Sequence, residues 1–188
     1  LPRVVSVAIQ SLSDPAVAVG LAAECARTTH QSPIVLDACR YFAAMLVGAL
    51  RGAPPGDVLG VIYEPAPGFW AARPLKHETV AALKTRDVPT EQPQRAVAAD
   101  VLHAIVNARD AVAGAQDATQ AIRSAIATGR EPALDGALAG ALWGALSGAS
   151  SLPAGAVASL ARVALIDEFA TRLAGRQRTP ESGGGVPA

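Results

Sequence analysis

Gly129-Arg-Glu131-Pro-Ala133-Leu134-Asp135 runs directly into Gly136-Ala-Leu-Ala-Gly140-Ala-Leu-Trp143-Gly144-Ala-Leu-Ser-Gly148. A glycine-opened turn carrying two carboxylates thus feeds a helix with glycine at every fourth position. Glycine inside a helix costs about 1 kcal/mol relative to alanine. Four of them on one face therefore predict that another backbone packs closely there, with Gly140 and Gly144 against a neighbouring helix.

Outward from this stretch the pattern is helical almost throughout. Ser13-Asp14-Pro15 places a capping side chain before a proline at the first helical position, and the helix it opens is expected to reach about Thr28. Ser32-Pro33 opens another. Ile34, Val35, Ala38, Tyr41, Phe42, Met45, Leu46 and Ala49 recur there at three-to-four spacing until Gly52. The two form a hairpin around Thr29-His30-Gln31. Between Ala53 and Pro93 the prolines are too frequent for long helices, although Glu78 to Leu83 can form a short one.

Regularity returns at Gln94. Val97, Val101, Leu102, Ile105 and Val106 trace an apolar stripe to about Ala113. Asp117-Ala-Thr-Gln120 is a capping box, followed by Ala121, Ile122, Ala125 and Ile126 on one face. Pro153 is expected to start the last helix, with Val157, Leu160, Val163, Ala164, Phe169 and Leu173 turned inward. No alternating strand pattern occurs. The expected class is all-α, with one domain over residues 1–174 and a disordered tail over 175–188, where apolar surface is sparse.

Composition narrows the function. Sixteen basic residues balance sixteen acidic ones and only Lys76 and Lys84 are lysines, so no basic footprint for nucleic acid or an anionic membrane exists. The longest uncharged run lies between Asp135 and Arg162, but glycine, alanine and serine dominate it and Pro153 interrupts it, so it does not supply the roughly 20 mostly apolar residues of a spanning helix. No signal peptide opens the chain, so a cytoplasmic setting is expected. Cys25 and Cys39 lack Cys-x-x-Cys spacing and are read as small buried side chains. No Ser-His-Asp set, Walker loop or Cys/His metal spacing is present.

Several of these motifs, in this order, resemble the ADP-ribosylglycohydrolase family of the dinitrogenase-reductase-activating glycohydrolase type. They are Thr29-His30 between two helices, Gly129-x-Glu131-x-Ala133-Leu134 after a capped helix, the Gly140-Ala-Leu-x-Gly144 helix, and Leu152-Pro153. Pro2-Arg3-Val4 is similar to the Met-Arg-Val that follows the family's Gly-rich loop. The resemblance covers most of the chain and corresponds to the family's C-terminal portion, so a missing upstream segment is expected.

The resemblance implies an all-α, orthogonal multi-helix bundle and hydrolysis of the glycosidic bond between ADP-ribose and a protein side chain, supported by two Mg²⁺ ions. ADP-ribose or an ADP-ribosylated protein is the implied partner. Family ligands come from an upstream Thr-Asp-Asp-Thr and from Asp-x-Asp-Thr in the turn before the glycine helix. Here Glu131 stands at the first Asp, Ala133 at the second and Leu134 at the Thr. Mg²⁺ demands several hard oxygen donors, so the chain alone is expected not to hydrolyse.

Glu131 and Asp135 are the candidate metal ligands. They also suit a helix N-terminus, where the macrodipole favours carboxylates, and both readings keep them exposed. His30 resembles the histidine that touches the ADP-ribose part of the ligand, and Arg3 would stand at the site mouth. The alternative for His30 is a cap on a helix end. The other class of function is a non-catalytic helical binding or structural protein. His30 and Glu131 are expected on the rim of one cleft. Trp143 is expected to fill a gap between helices, whereas Trp70 fits either a lid or a loop anchor.

Overall fold

The computed structural model describes residues 1–85 and 93–175, with side chains from residue 97 in the second segment. Helices α1 (Val4–Gln10), α2 (Pro15–Arg27) and α3 (Pro33–Leu50) form the first group. Asp14 caps α2 by accepting from the amides of Ala16 at 2.8 Å and Val17 at 3.2 Å, as the sequence predicts. Gly52, at φ 83°, follows the end of α3, in a conformation that L side chains rarely adopt.

Among the described residues α3 alone is long and apolar enough to cross a membrane, yet 78% of it is buried within the bundle. Tyr41, Phe42, Met45 and Leu46 are at the centre of the core. α3 thus reads as a core helix, hydrophobic nearly all round because α1, α2, α7 and α9 surround it.

The proline-rich stretch holds three short helices, α4 (Pro55–Val58), α5 (Phe69–Ala72) and α6 (His77–Thr85). Trp70 is a loop anchor. Its Nε1 donates to the Tyr63 carbonyl at 2.8 Å, its ring meets Phe69 edge-on at 5.0 Å, and the Arg40 guanidinium lies 5.6 Å from its centroid. Arg40 also donates to the carbonyls of Arg73 and Pro74, while buried Asp37 accepts from Arg40 and from the Lys76 amide. The irregular segment is therefore tied to α3 by satisfied polar contacts rather than by apolar burial alone.

α7 (Pro93–Ala113), α8 (Ala118–Thr128) and α9 (Pro132–Ser147) pack mutually and close the other side of the core. Leu102, Ile105 and Val106 are buried as expected, but Val97 is 49% exposed while its neighbours Ala98 and Ala99 are buried, so the packed face of this turn lies beside the expected stripe. Asp117 accepts from the Gln120 amide at 2.8 Å, and the Gln120 side chain accepts from the Gln116 amide. That completes a capping box shifted by one residue.

The glycine ridge is used only in part. A Cβ on Gly136 would lie 3.0 Å from Ile126 Cγ1, and one on Gly140 would meet Ile122 at an ordinary 3.6 Å. Ile126, expected inward, is half-exposed because it lies across Gly136 at the edge of the pair. Gly144 faces nothing within 4 Å, so the close approach expected there does not occur. Gly144→Ala is accordingly expected to stabilise the chain by about 0.5–1 kcal/mol, seen as a raised thermal midpoint. Trp143 packs against the core and donates from Nε1 to Ser151 Oγ at 3.0 Å.

After a 3₁₀ turn the expected single last helix is two, α10 (Ala154–Ala158) and α11 (Val163–Gly175). Arg162 at φ 66° breaks the run. Leu160 and Phe169, expected to face inward, are 50% and 52% exposed, since α11 packs on α1 without sinking any residue fully. The tail beyond Gly175 lies outside the described residues. There is no strand among the described residues.

Candidate functional site

Two polar clusters arise where turns meet helix ends. In the first, the start of α1 lies against the α2–α3 turn. Arg3 donates from Nη2 to Thr29 Oγ1 at 3.0 Å and from Nη1 toward Thr28 Oγ1 at 3.4 Å. Thr29 Oγ1 lies 2.9 Å from His30 Nδ1 and 3.3 Å from the Ala26 carbonyl. The Thr29 hydroxyl thus engages Nδ1, and Nε2 of the exposed ring is the nitrogen that this contact does not use. Arg3 and His30 thus line one pocket, together with Cys25, Cys39, Val35 and Val101. Sequence reasoning named both polar residues but not Thr29 as the link between them.

The second cluster is the turn before α9. Asp135 is 1% exposed, which corrects the expectation that it faces solvent. One carboxylate oxygen accepts from the Asn107 side-chain amide at 2.7 Å, and the other accepts from the Glu131 backbone amide at 3.0 Å. Folding back to the amide that opens its own helix is what buries it. Asn107 is fully used as well: it donates to the Ala125 carbonyl at 2.8 Å and accepts from Thr128 Oγ1 at 2.6 Å. α7, α8 and α9 are thereby stitched at one point. Glu131 keeps its exposed carboxylate at the N-cap of α9.

The two clusters share α7 rather than a common wall. Arg130 reaches Asp100 at 3.4 Å, and the next residue, Val101, lines the pocket of Arg3 and His30; Glu131 and Asp135 do not line it.

A family model described as ADP-ribosylglycohydrolase matches residues 1–183. The chain belongs to the ADP-ribosylglycohydrolase family. Among solved structures, one titled "ADP-ribosylglycohydrolase-related protein complex" matches with a TM-score of 0.72 at 24% identity. That similarity extends over 90% of this chain but only 56% of the other, so the chain spans little more than half of that relative's length. No curated protein matches. The all-α class expected from helical periodicity and the ADP-ribosylglycohydrolase fold implied by the resemblance are thus both found.

The ADP-ribosylglycohydrolases are in general a metal-dependent group, but the donors at this turn do not suit Mg²⁺. Both Asp135 oxygens are engaged by N–H donors, Ala133 and Leu134 supply no oxygen, and Glu131 is left as one carboxylate. Among the described residues no three His, Cys, Asp or Glu side chains converge to hold an ion.

Asn107 was not singled out in the sequence. Its signal was available: a polar residue on a helix next to an otherwise apolar stripe needs buried partners. His103, on the same helix, is half-buried with Nδ1 unpartnered, and His77 is exposed at the start of α6.

Proposed function

We propose that this chain is an ADP-ribose-recognising member of the family that binds the ADP-ribose of a modified protein at Arg3 and His30. By itself it does not cleave the glycosidic bond. The observation that carries the reading is the Arg3–Thr29–His30 chain of contacts at the pocket rim. It holds a guanidinium and an imidazole side by side. Guanidinium donors suit a diphosphate, and an imidazole N–H suits a phosphate or ribose oxygen. Thr29 fixes both, so their orientation is set before a ligand arrives.

The family reaction, Mg²⁺-dependent hydrolysis at the anomeric carbon, would require oxygen donors beyond those of the α9 turn. A non-catalytic binding or structural role is favoured by the internal commitment of Asp135.

Calorimetric titration tests both halves. ADP-ribose should give a saturable isotherm that Arg3→Ala and His30→Ala each weaken by about tenfold or more. Mg²⁺ alone should give no saturable heat in the micromolar range, and no ADP-ribose should be released from a modified protein. A micromolar Mg²⁺ isotherm abolished by Glu131→Ala would overturn the non-hydrolytic reading. Unchanged ADP-ribose affinity in both pocket variants would overturn the recognition reading.

A further inference from the structure

Cys25 and Cys39 are 14 residues apart in sequence, yet they line the same pocket from facing helices. Both are free thiols; Cys25 is partly exposed and Cys39 is 1% exposed. Cys25 lies near the end of α2 and Cys39 within the second turn of α3, so both are close to the turn that joins the helices. α2 and α3 pack through small side chains, with Ala22, Ala26 and Ala38 buried, and this brings the two backbones near each other. Burial pushes the Cys39 thiol above its ordinary range, and the neighbouring Cys25 charge adds to this, opposed by Arg3.

We propose that Cys25 and Cys39 form a peroxide-oxidisable dithiol in the wall of the Arg3–His30 pocket, whose oxidation joins α2 to α3 and closes the pocket to its ligand. The closing of the pocket rests on its reading as an ADP-ribose site; the oxidation does not. Cys25, the more accessible thiol, attacks one peroxide oxygen as its thiolate. The O–O bond breaks, hydroxide leaves and is protonated to water, and Cys25 becomes a sulfenic acid. Cys39 then attacks the Cys25 sulfur as its thiolate, the S–O bond breaks and the disulfide forms, and the departing hydroxide takes up the proton that the Cys39 thiol lost to leave as a second water. Two thiols lose two electrons to one peroxide.

Hydrogen peroxide is the probe, and intact-protein mass and free-thiol titration are the readouts. Oxidation should remove two hydrogens and both thiols together without forming dimers, and dithiothreitol should reverse it. Cys25→Ser, at the partly exposed position, and Cys39→Ala should each block it. ADP-ribose affinity of the oxidised chain should fall by about tenfold or more and return on reduction.

Oxygen addition at one cysteine with the other still free, or disulfide-linked dimers, would overturn the dithiol. Formation of the internal disulfide with unchanged ADP-ribose affinity would overturn the closing of the pocket. If the reduced chain binds no ADP-ribose but the internal disulfide still forms, the ligand reading and the closing of the pocket fail, and the dithiol stands.

Discussion

Arg109→Met should lower the unfolding free energy by about 2–4 kcal/mol. Arg109 is 3% exposed, and its guanidinium donates to the Val61 carbonyl at 2.9 Å and the Leu83 carbonyl at 3.3 Å. These carbonyls belong to the proline-rich segment and to α6, so one side chain of α7 fastens both. Its ion pair with Asp110 at 3.3 Å adds little, because that carboxylate is about a third exposed and can turn to water. The cost therefore comes mainly from the buried Leu83 carbonyl left without its donor, with a smaller share from the part-buried Val61 carbonyl and from the packing around Tyr41. Burial raises the Tyr41 phenol above its ordinary range, and the nearby Arg109 opposes that rise. Thermal unfolding should show a drop of roughly 5–10 °C. A midpoint within a degree of the parent would mean that water satisfies both carbonyls and that Trp70 and the Arg40 and Asp37 contacts suffice to hold the segment.

Arg109 also shows where the sequence stops being legible. Caps were readable because their chemistry is local: Asp14 and Asp117 each accept amides two or three residues ahead, and the short spacing fixes the geometry. Periodicity gave α3 and most of α7 for a similar reason, since a wide apolar face in a continuous run has few ways to be buried. Arg109 and Asn107 find their partners 18 to 48 residues away, and no local pattern encodes which carbonyl or carboxylate arrives.

The last helices fail for a related reason. Val157 to Leu173 carries an amphipathic pattern, which says that a face is apolar but not that this chain supplies the surface to cover it. Leu160, Leu165, Ile166 and Phe169 are accordingly 42% to 52% exposed. At the candidate site, Arg3 and His30 were legible through the family resemblance. Their joining by Thr29 required the fold.

Gly129→Ala and Asp135→Asn should each cost about 2–4 kcal/mol in a chain free of metal, and together less than the sum. Gly129 is not in a glycine-only conformation, since its φ is −78°. The demand is space: a Cβ there would collide with the Asp135 carboxylate and lie 2.7 Å from the Ala125 carbonyl oxygen. The glycine that opens the turn thus makes room for the carboxylate that closes it. Asp135→Asn keeps the shape but turns one acceptor into a donor, which must then face either the Asn107 amide or the Glu131 N–H.

Because the two substitutions damage the same contact, their effects should overlap. The measurement also separates the two readings of Asp135. A carboxylate held ready for a cation is strained or repelled when the ion is absent, so neutralising it leaves the metal-free protein unchanged or more stable. A carboxylate that satisfies two N–H donors does the opposite. Denaturant unfolding in excess chelator should therefore show Asp135→Asn clearly destabilised, and a raised midpoint would return Asp135 to the role of a metal ligand.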